Sequence, residues 1–318
     1  MREGDRITIE RGSIVNSLWI FPGQGGQSAG MLKHVDADLR QHVESLLGVK
    51  LYDSDEAYQD SVQLQLSIEL LQVAQINAMR EAGLKPHLVA GHSLGVFAAA
   101  YAIGSLGQDD LFRVVKRRAE LMQGAYPQGY GMGVVVGLSR SEVEELVLRV
   151  NNSAHPVYAS NQNAEDQTAL SGDLSAIDQV ITLAKQSGAS LARRLMVPVP
   201  SHSPLMSKVG TQLATTMKDV PLEKPAGIYL TNYSGRAVRQ AAAMREDLSY
   251  NLAHPVYFEA MMGVAHDYEP DSIVNFSPGR PFRKVLGQKF GDLRQVNLDQ
   301  MNVSDAVFLL TKWERGTF

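Results

Sequence analysis

The chain has 318 residues, 44% of them hydrophobic and 20% charged, with a formal net charge of −4 and no cysteine. This describes a globular protein that can bury a large core, in one large domain or two unequal ones. The missing thiols exclude disulfides, a thiolate nucleophile and a cysteine-ligated metal, and the acidic balance argues against nucleic acid as the main partner.

No apolar run approaches the roughly 18 residues of a membrane span. The charged N-terminal stretch lacks the apolar centre of a signal peptide. A cytoplasmic protein with no membrane contact is expected, its N-terminus a short extension ahead of the first strand.

Ser17-Leu18-Trp19-Ile20-Phe21 reads as that strand, and it stops at Pro22-Gly23-Gln24-Gly25-Gly26-Gln27. The loop lacks the Lys-Ser/Thr of a Walker motif, and Ser28 stands where a dinucleotide fingerprint needs its last glycine. A loop of this kind can instead aim backbone N–H groups at an oxyanion. Val62 to Arg80 reads as a helix ending at Gly83. Gln65, near its start, has the profile of a surface or capping residue.

Leu88-Val89-Ala90 then leads into Gly91-His92-Ser93-Leu94-Gly95, and Val96 to Ile103 reads as a helix stopped by Gly104. Gly-x-Ser-x-Gly between a strand and a helix holds a serine at the tip of a sharp turn, its hydroxyl exposed and helix N–H groups behind it. The bare pattern is also that of an ordinary tight turn.

Asp109 to Gln123 reads as a helix with Asp109 as N-cap. Leu111, Val114, Val115, Arg118, Leu121 and Met122 recur at spacings of three and four and share one face. Arg118 is thus a cation within an apolar stripe. A buried guanidinium keeps its charge and needs an anion, whether a structural ion pair or a ligand; a stem that snorkels to solvent is the other reading.

From Gly131 the pattern changes. Gly133–Gly137 reads as a strand, and Ser141 to Glu144 opens a helix with a capping-box pattern. Val157–Asn161 and Gln167–Ser171 read as strands, Asp173–Ser187 as a helix and Ala189–Val199 as a strand. The order βαββαβ is the ferredoxin-like signature, expected as a small domain over 128–199 inserted into a catalytic domain formed by 1–127 and 200–318.

In Pro200-Ser201-His202-Ser203-Pro204, Ser203 can cap and Pro204 suits a first helical position. His202 falls at that junction, where a lone histidine is ordinarily a surface residue. Ile228–Asn232 is a strand, Ser234-Gly235 a turn, Met244–Leu252 a helix, Ser272–Phe276 a buried strand and Phe282–Phe290 a basic helix. Alternating strands and helices imply a mainly parallel sheet covered on both faces.

Taken in order, Phe21-Pro22-Gly23-Gln24-Gly25, Gly91-His92-Ser93-Leu94-Gly95, Arg118 ahead of Leu121-Met122-Gln123, Pro200 to Met206 and Ser277-Pro278-Gly279 resemble the malonyl-CoA:acyl-carrier-protein transacylases. The resemblance covers nearly all of the chain after residue 17. It implies an α/β-hydrolase-like large domain with a ferredoxin-like small domain and a cleft between them.

It further implies Ser93 as nucleophile, His202 as base, the Asn251 carbonyl orienting the histidine, and the N–H groups of Gln24 and Leu94 as oxyanion hole. Arg118 would hold the malonyl carboxylate, with Gln65 in the pocket. No metal or bound cofactor is implied. The partners would be malonyl-CoA and an acyl-carrier protein bearing a CoA-derived thiol.

Val96 replaces the usual Glu of the fatty-acid-synthesis type and Asn251 its Gln. The segments 232–239 and 241–248 look like the acyltransferase (epsilon) subunit of bacterial malonate decarboxylase. The decarboxylase carrier is therefore the expected acceptor, with other decarboxylase subunits nearby and the fatty-acid or polyketide role as alternative. A serine thioesterase and a non-catalytic carrier-docking subunit are the rivals from other classes. Carriers being acidic, Arg193, Arg194, Arg280, Arg283, Lys284 and Lys289 are candidate docking charges, or scattered solvated surface.

Overall fold

The computed structural model describes residues 16–126 and 128–314. The expected N-terminal extension lies outside them. Strand β1 (Ser17–Phe21) is buried along its whole length because it is central, hydrogen-bonded on both edges. Alternation sends its side chains to two cores: Trp19 and Phe21 to one face, Leu18 and Ile20 to the other.

Helix α1 (Ala37–Leu47) follows, capped by the Asp36 carboxylate and closed by Gly48 at φ 63°. Then come α2 (Ser61–Glu81), β2 (Leu88–Gly91), a 3₁₀ turn at Ser93–Gly95, α3 (Val96–Ala102) and α4 (Gln108–Gln123). Gly107 caps α4. Asp109, expected as its cap, lies in the first turn with Asp110, where both carboxylates meet the positive end of the helix.

The second sheet begins with β3 (Tyr130–Val136), α5 (Arg140–Val150), β4 (Val157–Ala164) and β5 (Gln167–Asp173), and ends with α6 (Leu174–Gln186) and β6 (Leu191–Arg194). The capping box of α5 uses Ser139 and Glu142, two residues ahead of the expected pair, because Ser139 takes the extended conformation a cap needs. Strand β6 is shorter than the expected Ala189–Val199. It is an edge strand, and Pro198 and Pro200 have no N–H with which to continue a ladder.

The chain returns through a 3₁₀ turn at Pro204–Met206 to α7 (Ser207–Lys218), β7 (Ile228–Leu230) and β8 (Ala237–Val238). After these come α8 (Ala241–Tyr250), a 3₁₀ turn at Asn251–Ala253, α9 (Phe258–Asp267) and β9 (Ser272–Asn275). The described chain closes with α10 (Arg283–Phe290), β10 (Arg294–Asn297) and α11 (Val303–Glu314). Ser203 does not cap with its side chain; its hydroxyl donates to the Pro200 carbonyl at 2.7 Å.

The protein is an α/β fold with two sheets. The large sheet has the order β10-β9-β1-β2-β7-β8, parallel except for the edge strand β8. Helices α2, α3, α4 and α7 bury one face and α9 and α10 the other. The small sheet, β4-β5-β3-β6, is antiparallel and carries α5 and α6 on one face, a ferredoxin-like arrangement.

The two sheets are clasped at β4. The Gln162 N–H donates to the Val256 carbonyl at 2.8 Å, the Val256 N–H to Asn161 Oδ1 at 3.2 Å, and Lys284 pairs with Asp166 at 2.6 Å. Among the described residues no helix is long and apolar enough to cross a membrane.

Candidate active site

The site forms where β1 and β2 end. After Gly91 the backbone reverses so sharply that Ser93 sits at φ 53°, a conformation that is strained for a residue with a side chain. Both flanking glycines are required by contact. A Cβ on Gly91 would lie 2.4 Å from the Gly95 backbone, and one on Gly95 would lie 2.2 Å from the Phe21 carbonyl oxygen.

Asn232, just past β7, fastens the turn. Its Oδ1 accepts the Ser93 N–H at 2.9 Å and its Nδ2 donates to the Gly91 carbonyl at 2.6 Å. Asn232 is held in turn by Asp247, which accepts its N–H at 2.9 Å and the Tyr229 hydroxyl at 2.7 Å. Burial raises the Asp247 carboxyl to about 6, although these donors pull the other way.

His202 lies 109 residues from Ser93 in sequence, yet its Nε2 is 2.7 Å from Ser93 Oγ. Its N–H donates to the Leu252 carbonyl at 2.7 Å, and its Nδ1 is 3.0 Å from the Asn251 carbonyl and 3.2 Å from that of His254. A carbonyl only accepts, so Nδ1 carries the proton and Nε2 presents its lone pair to the serine. The ring is 2% exposed. Burial, then the neighbouring His92 and Arg118, lower it to about 3, against the two carbonyls. It is therefore neutral at physiological pH.

Arg118 reaches the same place from α4, on the buried stripe that the sequence shows. Its Nη1 donates to Gln65 Oε1, and its Nη2 lies 3.3 Å from Ser93 Oγ and 3.5 Å from Asn251 Oδ1. The guanidinium is 1% exposed, and burial lowers it only to about 10, so it stays a cation. Gln65 is fully buried, against the surface reading of its position. It donates to Ser61 Oγ at 2.8 Å and touches Met122 Sδ at 3.3 Å.

The loop after β1 presses on the serine turn. A Cβ on Gly23 would meet the His92 carbonyl at 2.8 Å and the Leu94 nitrogen at 3.4 Å, so Gln24 follows a residue already in contact with the turn. Gln72 of α2 donates to the carbonyls of Pro22 and Ser277, both at 2.9 Å, stitching that loop to the one after β9.

His92 turns away from the serine. Its Nε2 meets Asn163 Oδ1 at 2.8 Å, and its ring packs near Phe258 and Phe282, which makes it a tie to β4. Burial lowers it to about 4.

Ser93, His202, Arg118, Gln65 and Asn251 thus form one connected cluster, although they come from five parts of the chain. Sequence reasoning missed Asn232, Asp247, Gln72, the second carbonyl at His254 and the side chain of Asn251. The spacing of Gln65, Glu69 and Gln72 among the leucines, isoleucine and valine of α2 was the available signal for these residues; Asn232 carried none.

A cavity of about 400 Å³ opens beside the loop, lined by Pro22, Asn275, Gly279, Arg280, Arg283 and Asn297 among others. Of the candidate docking charges, Arg194 pairs with Asp178, Lys284 with Asp166 and Lys289 with Glu259. Arg193, Arg280 and Arg283 are exposed, with no ion-pair partner among the described residues. Among the described residues no group of three or more His, Asp or Glu side chains is arranged to hold a metal ion.

The profile of the acyl transferase domain matches residues 18–297. A malonyl CoA-acyl carrier protein transacylase of Haemophilus influenzae is 29% identical over 303 residues, 91% of this chain and 96% of the relative. One of Bacillus subtilis strain 168 is 28% identical over 90% and 93% of the two chains. Among solved structures, FabD from Acinetobacter baumannii superposes with a TM-score of 0.86 at 28% identity, over 93% and 98% of the chains. A malonyl-transacylase in complex with its type II PKS acyl-carrier protein superposes with 0.86 at 25% identity, over 93% and 99%.

Proposed function

We propose, since this chain belongs to the acyl transferase domain family, that it carries malonyl groups from malonyl-CoA to the prosthetic thiol of an acyl-carrier protein through an ester on Ser93. The observation that carries the reading is the meeting of a hydroxyl, a neutral imidazole and a buried guanidinium at Ser93 Oγ. The first two are the parts of a serine acyl transfer. The third recognises an acyl group that has a free carboxylate.

In the first half, His202 Nε2 takes the Ser93 proton while Oγ bonds to the thioester carbonyl carbon. The oxyanion rests on the N–H groups of Gln24 and Leu94. The C–S bond then breaks, and the imidazolium returns its proton to the departing CoA sulfur. In the second half, His202 takes the proton of the carrier thiol, the sulfur attacks the malonyl ester, and the proton ends on Ser93 Oγ as its bond breaks. Each step uses only groups of this chain and the two substrates.

The relatives are named for transfer to acyl carrier protein, and one structure is a complex with a type II PKS carrier. That supports a carrier of fatty-acid or polyketide synthesis ahead of the malonate decarboxylase carrier expected from the sequence. The decarboxylase carrier stands as a second reading on one observation. The departure at Asn251 reaches the acyl pocket, its Oδ1 lying beside Arg118 and its Nδ2 donating to Asn232 Oδ1 at 3.2 Å.

A thioesterase for neutral acyl groups has no use for the buried Arg118, and a docking subunit has no use for the Ser93–His202 contact. Exposed Arg280 and Arg283 beside the cavity suit the phosphates of CoA or an acidic carrier.

Intact-protein mass after mixing with malonyl-CoA is expected to show a malonyl adduct on the wild type and none on Ser93→Ala. Offering fatty-acid and decarboxylase carriers side by side then identifies the acceptor. An adduct on Ser93→Ala, or free malonate as the main product with both carriers present, would overturn the reading.

A further inference from the structure

Helix α2 carries Gln65, Glu69 and Gln72 at spacings of four and three, which form one stripe. Gln65 holds Arg118 and Gln72 holds two loops, but the proposed reaction leaves Glu69 without a task. Glu69 is fully buried, and neither carboxyl oxygen has a hydrogen-bond partner among the described residues. The buried Arg118 Nε also lacks one. Arg118 bonds to Gln65, one turn before Glu69 on α2, and the two ionisable groups act on each other. Two unclaimed acceptors on α2 and an unclaimed donor on α4 are therefore buried on helices that pack together, where unpaired polar groups are costly. Leu66, Ile68, Leu70 and Val73 around Glu69 on α2 are all buried, so an apolar residue would fit its environment better.

We propose that Glu69 is a positioning residue for Arg118: its carboxyl oxygen accepts the Nε–H when a carboxylated acyl group engages the Nη donors, and so fixes the guanidinium plane. The inference rests on the malonyl reading above and deepens it, naming what sets acyl selectivity. Burial pushes the Glu69 carboxyl well above the usual range, with Arg118 offsetting only part of this. In its uncharged form, which burial favours, it offers a carbonyl oxygen. An ionised carboxylate in its place would occupy the cation and repel the malonyl group. Three contacts would thus align the guanidinium: Gln65 at Nη1, Glu69 at Nε and the substrate across the free edge.

The test compares wild type, Glu69→Gln and Glu69→Leu, using initial rates with malonyl-CoA and acetyl-CoA and one carrier as acceptor. Glu69→Gln keeps a neutral acceptor, and its malonyl-to-acetyl ratio of kcat/KM should stay within about twofold of wild type, since the hydrogen bond survives. Glu69→Leu keeps the volume but not the acceptor. Its ratio should fall about tenfold, the cost of one lost hydrogen bond to a charged group, carried by a higher KM for malonyl-CoA with acetyl-CoA kinetics unchanged. Acetyl-CoA turnover in the same preparation corrects for any loss of folded enzyme. A Leu variant with the wild-type ratio overturns the proposal, and so does a Gln variant that falls as far as Leu. A wild type with no preference for malonyl-CoA would instead end the functional reading, and this inference with it.

Discussion

Replacing Arg118 by alanine separates acyl selectivity from acyl chemistry. The guanidinium is 1% exposed, so the proposed contact with a substrate carboxylate would be made out of water. Removing one partner of such a buried, hydrogen-bonded pair costs about 2–5 kcal/mol. Because Nη1 is already committed to Gln65, the share available to the acyl group is nearer the middle, about 3 kcal/mol, or about 10²-fold in rate.

Acetyl-CoA has no carboxylate and should lose little. The malonyl-to-acetyl ratio of kcat/KM, measured from initial rates of transfer to a carrier, is therefore expected to drop about 10²-fold, with thermal unfolding checking that the variant is folded. An unchanged ratio would refute the role. Equal losses with both donors would mean that Arg118 supports the Ser93–His202 contact instead.

Acid should destabilise the protein through two histidines. His202 near 3 and His92 near 4 both lie below the unfolded value of about 6.5. The folded state binds fewer protons, so this stability is complete above about pH 6.5 and is lost as the pH falls toward those values, at up to about 1.4 kcal/mol per pH unit for each histidine. The raised Asp247 and Glu69 carboxyls act in the opposite sense over this range, so the readout is the difference between proteins: in melting curves at pH 7 and 5, His92→Gln should lose less stability than wild type, and equal changes would contradict the assignment. The strain at Ser93 predicts that Ser93→Gly melts above Ser93→Ala by about 1 kcal/mol, both being inactive; equal melting would deny the strain. Asn232→Ala leaves the Ser93 N–H and the Gly91 carbonyl unpaired and should cost about 2–4 kcal/mol, lowering kcat more than it raises KM. Unfolding and steady-state kinetics would test this, and wild-type kcat in a folded variant would show that the turn holds without it.

The strand ends were legible because a central parallel strand must be apolar on both faces, as Ser17–Phe21 and Leu88–Gly91 are. The Gly-x-Ser-x-Gly turn and the buried face of α4 were legible for the same local reason: sterics and periodicity act over a few residues. Helices α1, α9 and α11 and strands β8 and β10 were not anticipated, because their identity is decided by packing onto elements distant in sequence. Expected caps slipped by two residues at α4 and α5, where only backbone geometry chooses among neighbouring candidates. Gln65 illustrates the harder case. A glutamine among leucines looks like a surface residue until Arg118, 53 residues away, supplies a partner that makes burial affordable.

The two main-chain oxygens that hold His202 carry no net charge. They fix the ring's tilt but stabilise a developing imidazolium less than a carboxylate would. A base supported so lightly suits acyl donors with good leaving groups, such as thioesters, and is ill matched to amides. On the proposed mechanism, a serine supported in this way would act on thioesters while leaving peptide bonds largely untouched.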